Sequence, residues 1–221
     1  MTRDKFIIMV KEPVKGSVKT RLAKDIGEKR ALELYRSFVL DIVRKVRKTR
    51  NDLSYGIYPR SGEQTIREWL KTEHRFMIQE GNDLGERQSS LLLKGFAEGA
   101  DNCVLLSTDC PDLPLRYIED TMEGLRYRDV VLGPARDGGY YMIGFRRGAF
   151  DPAFLSDMEW SNEHVFDKVK KRSKEKGRTI LELPYWWDVD DGHDLEMLIE
   201  RLREGGDAPH TRERLVKLGM I

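Results

Sequence analysis

The chain has 221 residues, enough for one large domain or two small ones, and combines 39% hydrophobic with 35% charged residues. Lys plus Arg number 39 against 38 for Asp plus Glu, a formal net charge of +1, which argues against bulk attraction to nucleic acid or anionic membrane. Two cysteines, Cys103 and Cys110, are too few for a secreted disulfide scaffold, and no apolar run approaches membrane-spanning length. The expectation is a soluble, cytoplasmic protein in which any basic site is local.

Phe6 to Val10 reads as a buried opening strand, too short for a signal-peptide core. Ala31, Leu34, Tyr35, Phe38, Ile42, Val43 and Val46 recur at helical spacing between charged residues, which predicts a long surface helix with one buried face. Leu53 to Tyr58 predicts a second strand; Pro59 to Gly62 predicts a turn into a short helix through Trp69 and Leu70. A weak strand at Phe76 to Ile78 precedes a helix over about 84–96. Cys103 to Leu106 then reads as a strand buried on both faces.

A helix over 114–125 and strands at Val130 to Leu132 and Tyr140 to Phe145 come next. A helix after Trp160-Ser161, a strand at Ile180 to Leu183 and a helix around 195–202 complete the series. This alternation implies a mainly parallel sheet with helices on both faces. The gap from Leu132 to Tyr140 cannot hold a crossover helix, so one strand there is expected to be antiparallel. No repeat, low-complexity tract or linker divides the chain, and one domain over 1–221 is expected.

Ligands of open α/β sheets bind beyond the carboxyl ends of the strands, so the loops there are the places to look for chemistry. After the first strand, Lys11 to Arg21 holds four cations in eleven residues, with Gly16 to admit an anion close to the backbone. Lys19 and Arg21 would supply charge and forked hydrogen bonds to phosphates, although a solvated basic loop explains the composition equally. The Walker pattern Gly-x-x-x-x-Gly-Lys-Ser/Thr is absent.

After the buried strand, Asp109 emerges where a metal ion could be held against a substrate phosphate, while Asp112 is expected to cap the following helix. Cys110 has no partner that marks it as a nucleophile. Asp188 and Asp190, at alternate positions after the last strand, could complete a metal site begun by Asp109; alternatively Asp190 or Asp191 caps the next helix. Asp137 could bind an acceptor hydroxyl or act as a base, and Gly138 and Gly139 let backbone approach a ligand, unless the segment is a plain hairpin turn. Gln79 to Arg87, including Asp83 and Glu86, could contact base or sugar, with helix capping by Asp83 equally open. The four histidines have no zinc-ligand spacing, no Gly-x-Ser-x-Gly is present, and no Gly-x-Gly-x-x-Gly follows the first strand.

Taken in order, these motifs resemble the bacterial and archaeal glycosyltransferase A-like proteins also called radical-SAM/selenodomain-associated transferases. The stretches that carry the likeness are Lys11-x-Pro13-x-x-Gly16-x-x-Lys19-Thr20-Arg21-Leu22, Gln79-x-Gly81-x-Asp83-Leu84-Gly85-Glu86-Arg87, Thr108-Asp109-Cys110-Pro111-Asp112-Leu113 and Gly133-Pro134-Ala135-x-Asp137-Gly138-Gly139-Tyr140-Tyr141. Trp160-Ser161 and Asp188-x-Asp190 extend it across nearly the whole chain. That family is similar to nucleotide-diphospho-sugar transferases and to nucleotidyltransferases such as phospholactate and molybdenum-cofactor guanylyltransferases.

The resemblance implies the GT-A fold, a Rossmann-like α/β sheet with helices on both faces and a nucleotide across its carboxyl edge. It further implies phosphate contacts from Lys11, Pro13, Gly16, Lys19, Thr20 and Arg21, and Mg2+ or Mn2+ on Asp109 with Asp188 or Asp190. Asp191-Gly192 stands where many relatives continue Asp-x-Asp with Thr-Pro, and Asn162 stands where a Thr is expected after Trp160-Ser161.

The leading expectation is metal-dependent transfer of a sugar from a nucleotide-diphospho-sugar to a small-molecule acceptor, with metal and cations neutralising the departing diphosphate. The alternative is nucleotidyl transfer from a nucleoside triphosphate to a phosphorylated acceptor, which the dense basic loop suits. A non-catalytic nucleotide-binding protein is the third. No nucleic-acid partner and no membrane span are expected; a homo-oligomer is compatible with the sequence.

Overall fold

The computed structural model describes residues 3–160 and 162–221, so Ser161 of the Trp160-Ser161 pair lies outside the described residues. The strands are β1 (Asp4–Lys11), β2 (Asp52–Tyr58), β3 (Arg75–Ile78), β4 (Asn102–Leu106), β5 (Val130–Pro134), β6 (Tyr140–Arg146) and β7 (Ile180–Glu182). The helices are α1 (Thr20–Ile26), α2 (Glu28–Lys48), α3 (Glu63–Leu70), α4 (Leu84–Ala97), α5 (Leu115–Gly124), α6 (Val165–Glu175), α7 (Gly192–Arg203) and α8 (Pro209–Lys217). The strands form one sheet in the order β3-β2-β1-β4-β6-β5-β7. β6 runs antiparallel to both β4 and β5, and every other pairing is parallel. The expected antiparallel strand is therefore β6, joined to β5 by the tight turn that the short spacing required.

Side-chain alternation along β1 divides the core. Phe6, Ile8 and Val10 face the apolar sides of α2, α3 and α5, whereas Ile7 packs with Leu91, Leu92 and Phe96 of α4 and Phe166 and Val169 of α6. A third apolar layer joins Leu22, Leu34 and Phe38 to Leu195, Leu198 and Leu202 of α7 and Leu215 of α8.

That third layer corrects one expectation. α2 is covered by the sheet on one side and by α1, α7 and α8 on the other, rather than exposing its polar face. Its Asp41 and Lys45 are consequently fully buried. Asp41 accepts hydrogen bonds from the amides of His210 (3.0 Å) and Thr211 (2.8 Å) at the start of α8, and Lys45 donates to the carbonyls of Pro111 and Asp207. These polar partners are what allow charged residues in the second buried face.

Neither α1 nor α8 is marked by the sequence periodicity. α1 is a seven-residue helix folded from the basic segment after β1, and α8 begins at Pro209, a favoured first helical residue. Among the described residues, no helix is long and apolar enough to cross a membrane.

Candidate active site

The carboxyl ends of β1, β4, β5 and β7 open onto one edge of the sheet, where a cleft of about 620 Å3 runs across them. At one end of this cleft lie the cations contributed after β1. The phenol of Tyr35 anchors that turn, accepting from the Lys11 amide and donating to the Lys11 carbonyl, each at 2.8 Å. The Lys11 ammonium reaches across to the carbonyl of Ser17 at 2.7 Å, closing the loop on itself. Pro13 is buried beneath it, and Gly16 takes the left-handed conformation at φ +77°.

Lys19 is held by both its backbone and its side chain. It sits at the start of α1 with φ 47°, a left-handed conformation that is uncommon and costly for a residue with a Cβ. This conformation turns its side chain inward, where it is only 5% exposed and lies between two carboxylates, in contact with Asp109 and 2.9 Å from Asp190. Burial alone would lower the ammonium's pKa; the adjoining Asp109 and Asp190 outweigh that and hold it above the ordinary range. Arg21, two residues along and mostly exposed, donates to the other oxygen of Asp190 at 2.6 Å, and Thr20 also lines the cleft.

The loop after the last strand supplies the carboxylates that meet this turn. An isolated bridge from Ala135 to Trp186 carries the chain past the end of β5, and the Val189 amide donates to the Asp109 carbonyl at 3.0 Å. Asp188 and Asp190 are thereby brought beside Asp137, and carboxylate oxygens of the three lie within 4.8 Å of one another. Desolvation first, and then repulsion from Asp137 and Asp190, pushes the Asp188 carboxyl up to about 7. Asp190 behaves oppositely: burial opposes its charge, but Lys19 and Arg21 hold its carboxyl below the usual range.

Asp191, not Asp190, caps α7, forming a reciprocal capping box with Asp194. Asp190 is left to the cleft. Asp109 lies beside the three-carboxylate group rather than in it, with its oxygens directed to Lys19 and to the Ser107 hydroxyl (3.1 Å).

Asp137 belongs to the hairpin between β5 and β6. Its Oδ1 accepts from the Gly139 amide at 2.8 Å, so the turn itself aims the carboxylate. Gly138 has φ +87°, and a Cβ there would lie 2.1 Å from the Glu163 carbonyl oxygen. Its missing side chain thus admits the neighbouring backbone of residues 163–166.

Beyond the end of β2, Arg87 lies over the Tyr58 ring at 4.1 Å and donates to the Gly81 carbonyl at 3.1 Å. Gln79 is fixed through its amide to the Gly56 carbonyl (2.8 Å), and Gln88 accepts from the Tyr140 hydroxyl. Asp83 and Glu86 lie outside the cleft lining. Asp83 caps α4 by accepting from the Glu86 amide (2.9 Å), and Glu86 accepts from the Asn82 amide (2.7 Å).

One expectation is overturned. Asp112 does not cap α5, whose first turn has no side-chain cap. Its buried carboxylate instead accepts from Arg201 Nε at 2.6 Å and Trp186 Nε1 at 3.2 Å, because α7 packs over the loop after β4. Cys110 is buried, and desolvation raises its thiol well above the ordinary range, as an inert side chain requires.

Tyr35, Tyr58 and Gln88 line the cleft, although the sequence did not mark them as site residues. Tyr58 closes β2, so inspection of every strand's carboxyl end would have found it. Tyr35 and Gln88 sit on helices and carry no comparable signal.

The profile of the family described as "Uncharacterized protein conserved in bacteria (DUF2064)" matches residues 43–162, more than half of the chain, and the chain belongs to that family. A solved protein from Desulfovibrio desulfuricans G20, provisionally described as a nucleotide-diphospho-sugar transferase, is 32% identical over 99% of this chain and 97% of its own, with a TM-score of 0.91.

More distant structures share the fold. A cytidylyltransferase from Leptospira borgpetersenii serovar Hardjo-bovis strain JB197 superposes with a TM-score of 0.62 at 14% identity, covering 99% of this chain and 96% of that one. CMP:2-keto-3-deoxy-manno-octonic acid synthetase, solved with CTP, gives 0.60 at 10% identity over 92% and 99%. No protein of curated function matches the sequence. The fold is that of the nucleotide-diphospho-sugar transferases, as the motifs led us to expect.

Proposed function

We propose that this DUF2064 chain is a metal-dependent transferase that takes a glycosyl group from a nucleotide-diphospho-sugar. The observation that carries the reading is the meeting of a cationic turn and three carboxylates at one end of a long cleft, beyond the carboxyl ends of the parallel strands. The coarser statement, a nucleotide-dependent transferase, has the support of the relative 32% identical over nearly the full chain.

Asp137, Asp188 and Asp190 suit Mg2+ or Mn2+. Three hard oxygen donors stand close enough to repel, and Asp188 already resists ionisation at neutral pH, a strain that a divalent cation relieves. Such an ion would supply positive charge to a departing diphosphate. Asp109 keeps Lys19 in place, and Lys19 in turn fixes Asp190. Arg21 and Lys11 are the cations free to meet phosphate oxygens, Arg21 through the N–H groups not turned to Asp190. Arg87 on Tyr58, with Gln79 beside it, forms a flat polar wall suited to the nucleoside. Asp137, exposed and with one oxygen held by Gly139, is assigned to the ion rather than to proton transfer.

The count of available cations favours a diphosphate over a triphosphate. Of the four in the turn, Lys15 pairs with Glu28 at 3.5 Å, Lys19 with Asp109 and Asp190, and Arg21 with Asp190 at 2.6 Å, which leaves Lys11 and the remaining N–H groups of Arg21 for the ligand. Nucleotidyl transfer remains the second reading because of the fold shared with the CTP-bound synthetase. Incubation with nucleotide sugars and nucleoside triphosphates in Mn2+ separates the two. Release of nucleoside diphosphate from a sugar donor supports the proposal, and release of pyrophosphate from a triphosphate replaces it with the second reading.

A further inference from the structure

We propose that the Lys19 ammonium takes the place of a second metal ion, so that the site works with one divalent cation per chain. The inference rests on the metal-dependent reading above and adds to it the role of a fixed internal charge.

Carboxylate sites that hold two ions keep them about 3.5–4 Å apart, with ligands shared between them. Here Asp190 is the shared carboxylate. It belongs to the group with Asp137 and Asp188, and it also presents Oδ1 to Lys19 at 2.9 Å and Oδ2 to Arg21 at 2.6 Å. On the far side of Lys19 stands Asp109, with one oxygen on the ammonium and the other accepting from Ser107 at 3.1 Å. Asp109 thus completes the position that the Lys19 ammonium fills, whereas Asp137 and Asp188 group with Asp190 as candidate ligands of a metal ion.

The lysine is built into that place. Its backbone is left-handed, its side chain is 5% exposed, and the buried Val18 and Leu22 flank it. Charge balance agrees. With all four carboxylates ionised, Lys19 and Arg21 leave Asp109, Asp137, Asp188 and Asp190 two negative charges in excess, the charge of one divalent ion. An ammonium fixed by the fold supplies its share of positive charge at any metal concentration, which a second dissociable ion cannot do.

Counting Mn2+ bound to the whole chain, by the paramagnetic resonance of the free ion, tests this. Wild type is expected to bind one Mn2+. Lys19→Met, which removes the internal charge, is expected to bind two as a spin-coupled pair, and Lys19→Arg one. Should Lys19→Met not fold, Asp109→Asn serves instead: it keeps one Mn2+, with affinity reduced by about 10–100-fold at most, as for outer-sphere partners. Asp188→Asn loses the ion. Two Mn2+ on wild type, one on folded Lys19→Met, or loss of the ion in Asp109→Asn would overturn the role of Lys19 alone. No Mn2+ on wild type would overturn the metal-dependent reading along with it.

Discussion

Arg201 of α7 donates through Nε to the buried carboxylate of Asp112 at 2.6 Å, and this ion pair joins the loop after β4 to the segment that carries Asp188 and Asp190. Asp112 also receives Trp186 Nε1 at 3.2 Å, while the Arg201 guanidinium lies 5.3 Å from the Trp187 ring centre. One side chain thus holds both ends of the carboxylate wall. Removing Asp112 leaves an uncompensated guanidinium in a buried place, which typically costs about 3–5 kcal/mol. Asp112→Ala should lower urea stability by that order, and Asp112→Leu with Arg201→Met should recover most of it. Equal losses in the single and double variants would show that the pair is not the brace.

Asp188 gives the site a pH signature. Its carboxyl titrates near 7 in the folded chain and near the ordinary carboxylate value once unfolded, so the folded state binds the proton more tightly between those values. The stability this contributes is present at low pH and is lost as pH rises toward 7. Without added metal, urea stability should therefore fall from about pH 5 to pH 8, and Mg2+ should restore it most at the upper end. Asp188→Asn should flatten both trends; an unchanged pH profile in that variant would assign the effect elsewhere.

Lys45 has the opposite sign of dependence. Burial lowers its ammonium to about 8 despite the nearby Asp41 and Asp207, whereas the unfolded chain keeps the ordinary value of 10.5. Below pH 8 the folded protein carries the whole penalty, on the order of 3 kcal/mol; between 8 and 10.5 that penalty is relieved and stability rises with pH. In Lys45→Met this rise should disappear from denaturant titrations made across the same interval. A rise of equal size in the variant would contradict the assignment.

Gly138 and Gly16 both have positive φ, but their substitutions should differ. At Gly138 an added Cβ meets the Glu163 carbonyl oxygen at 2.1 Å, so Gly138→Ala combines backbone strain with displacement of the 163–166 segment. The expected cost is about 2 kcal/mol or more, with weaker metal binding as Asp137 shifts. At Gly16 the nearest atom is the flexible Glu28 carboxylate at 3.2 Å, and Gly16→Ala should cost about 1 kcal/mol. Comparable losses at the two sites would mean that the Glu163 contact gives way.

Much of this architecture is legible in the sequence because strands buried on both faces, such as Cys103 to Leu106, appear as short apolar runs between amphipathic helices. The antiparallel β6 follows from a connection too short for a helix. The second covering of α2 is not legible, because the burial of Asp41 and Lys45 depends on partners around residues 207–211, far along the chain. Local reasoning assigned Asp112 to the nearest helix start, but α7 arrives from 89 residues away to claim its carboxylate. In the site, the rule of carboxyl strand ends led to Lys19, Asp109, Asp137, Asp188 and Asp190. Which of them pair with each other is decided by the left-handed turn at Lys19 and by the Val189–Asp109 backbone bond, neither of which a residue pattern shows.

The central claim is tested most directly by thermal unfolding in the presence of nucleotide sugars and nucleoside triphosphates, with and without Mn2+, for wild type and Asp188→Asn. A ligand at about 100 times its Kd stabilises the folded state by about 2.7 kcal/mol, which raises Tm by roughly 5–10 °C for a chain of this size. The account predicts such a shift with at least one nucleotide sugar, dependent on Mn2+ and absent from Asp188→Asn. No shift with any nucleotide in either condition would contradict it.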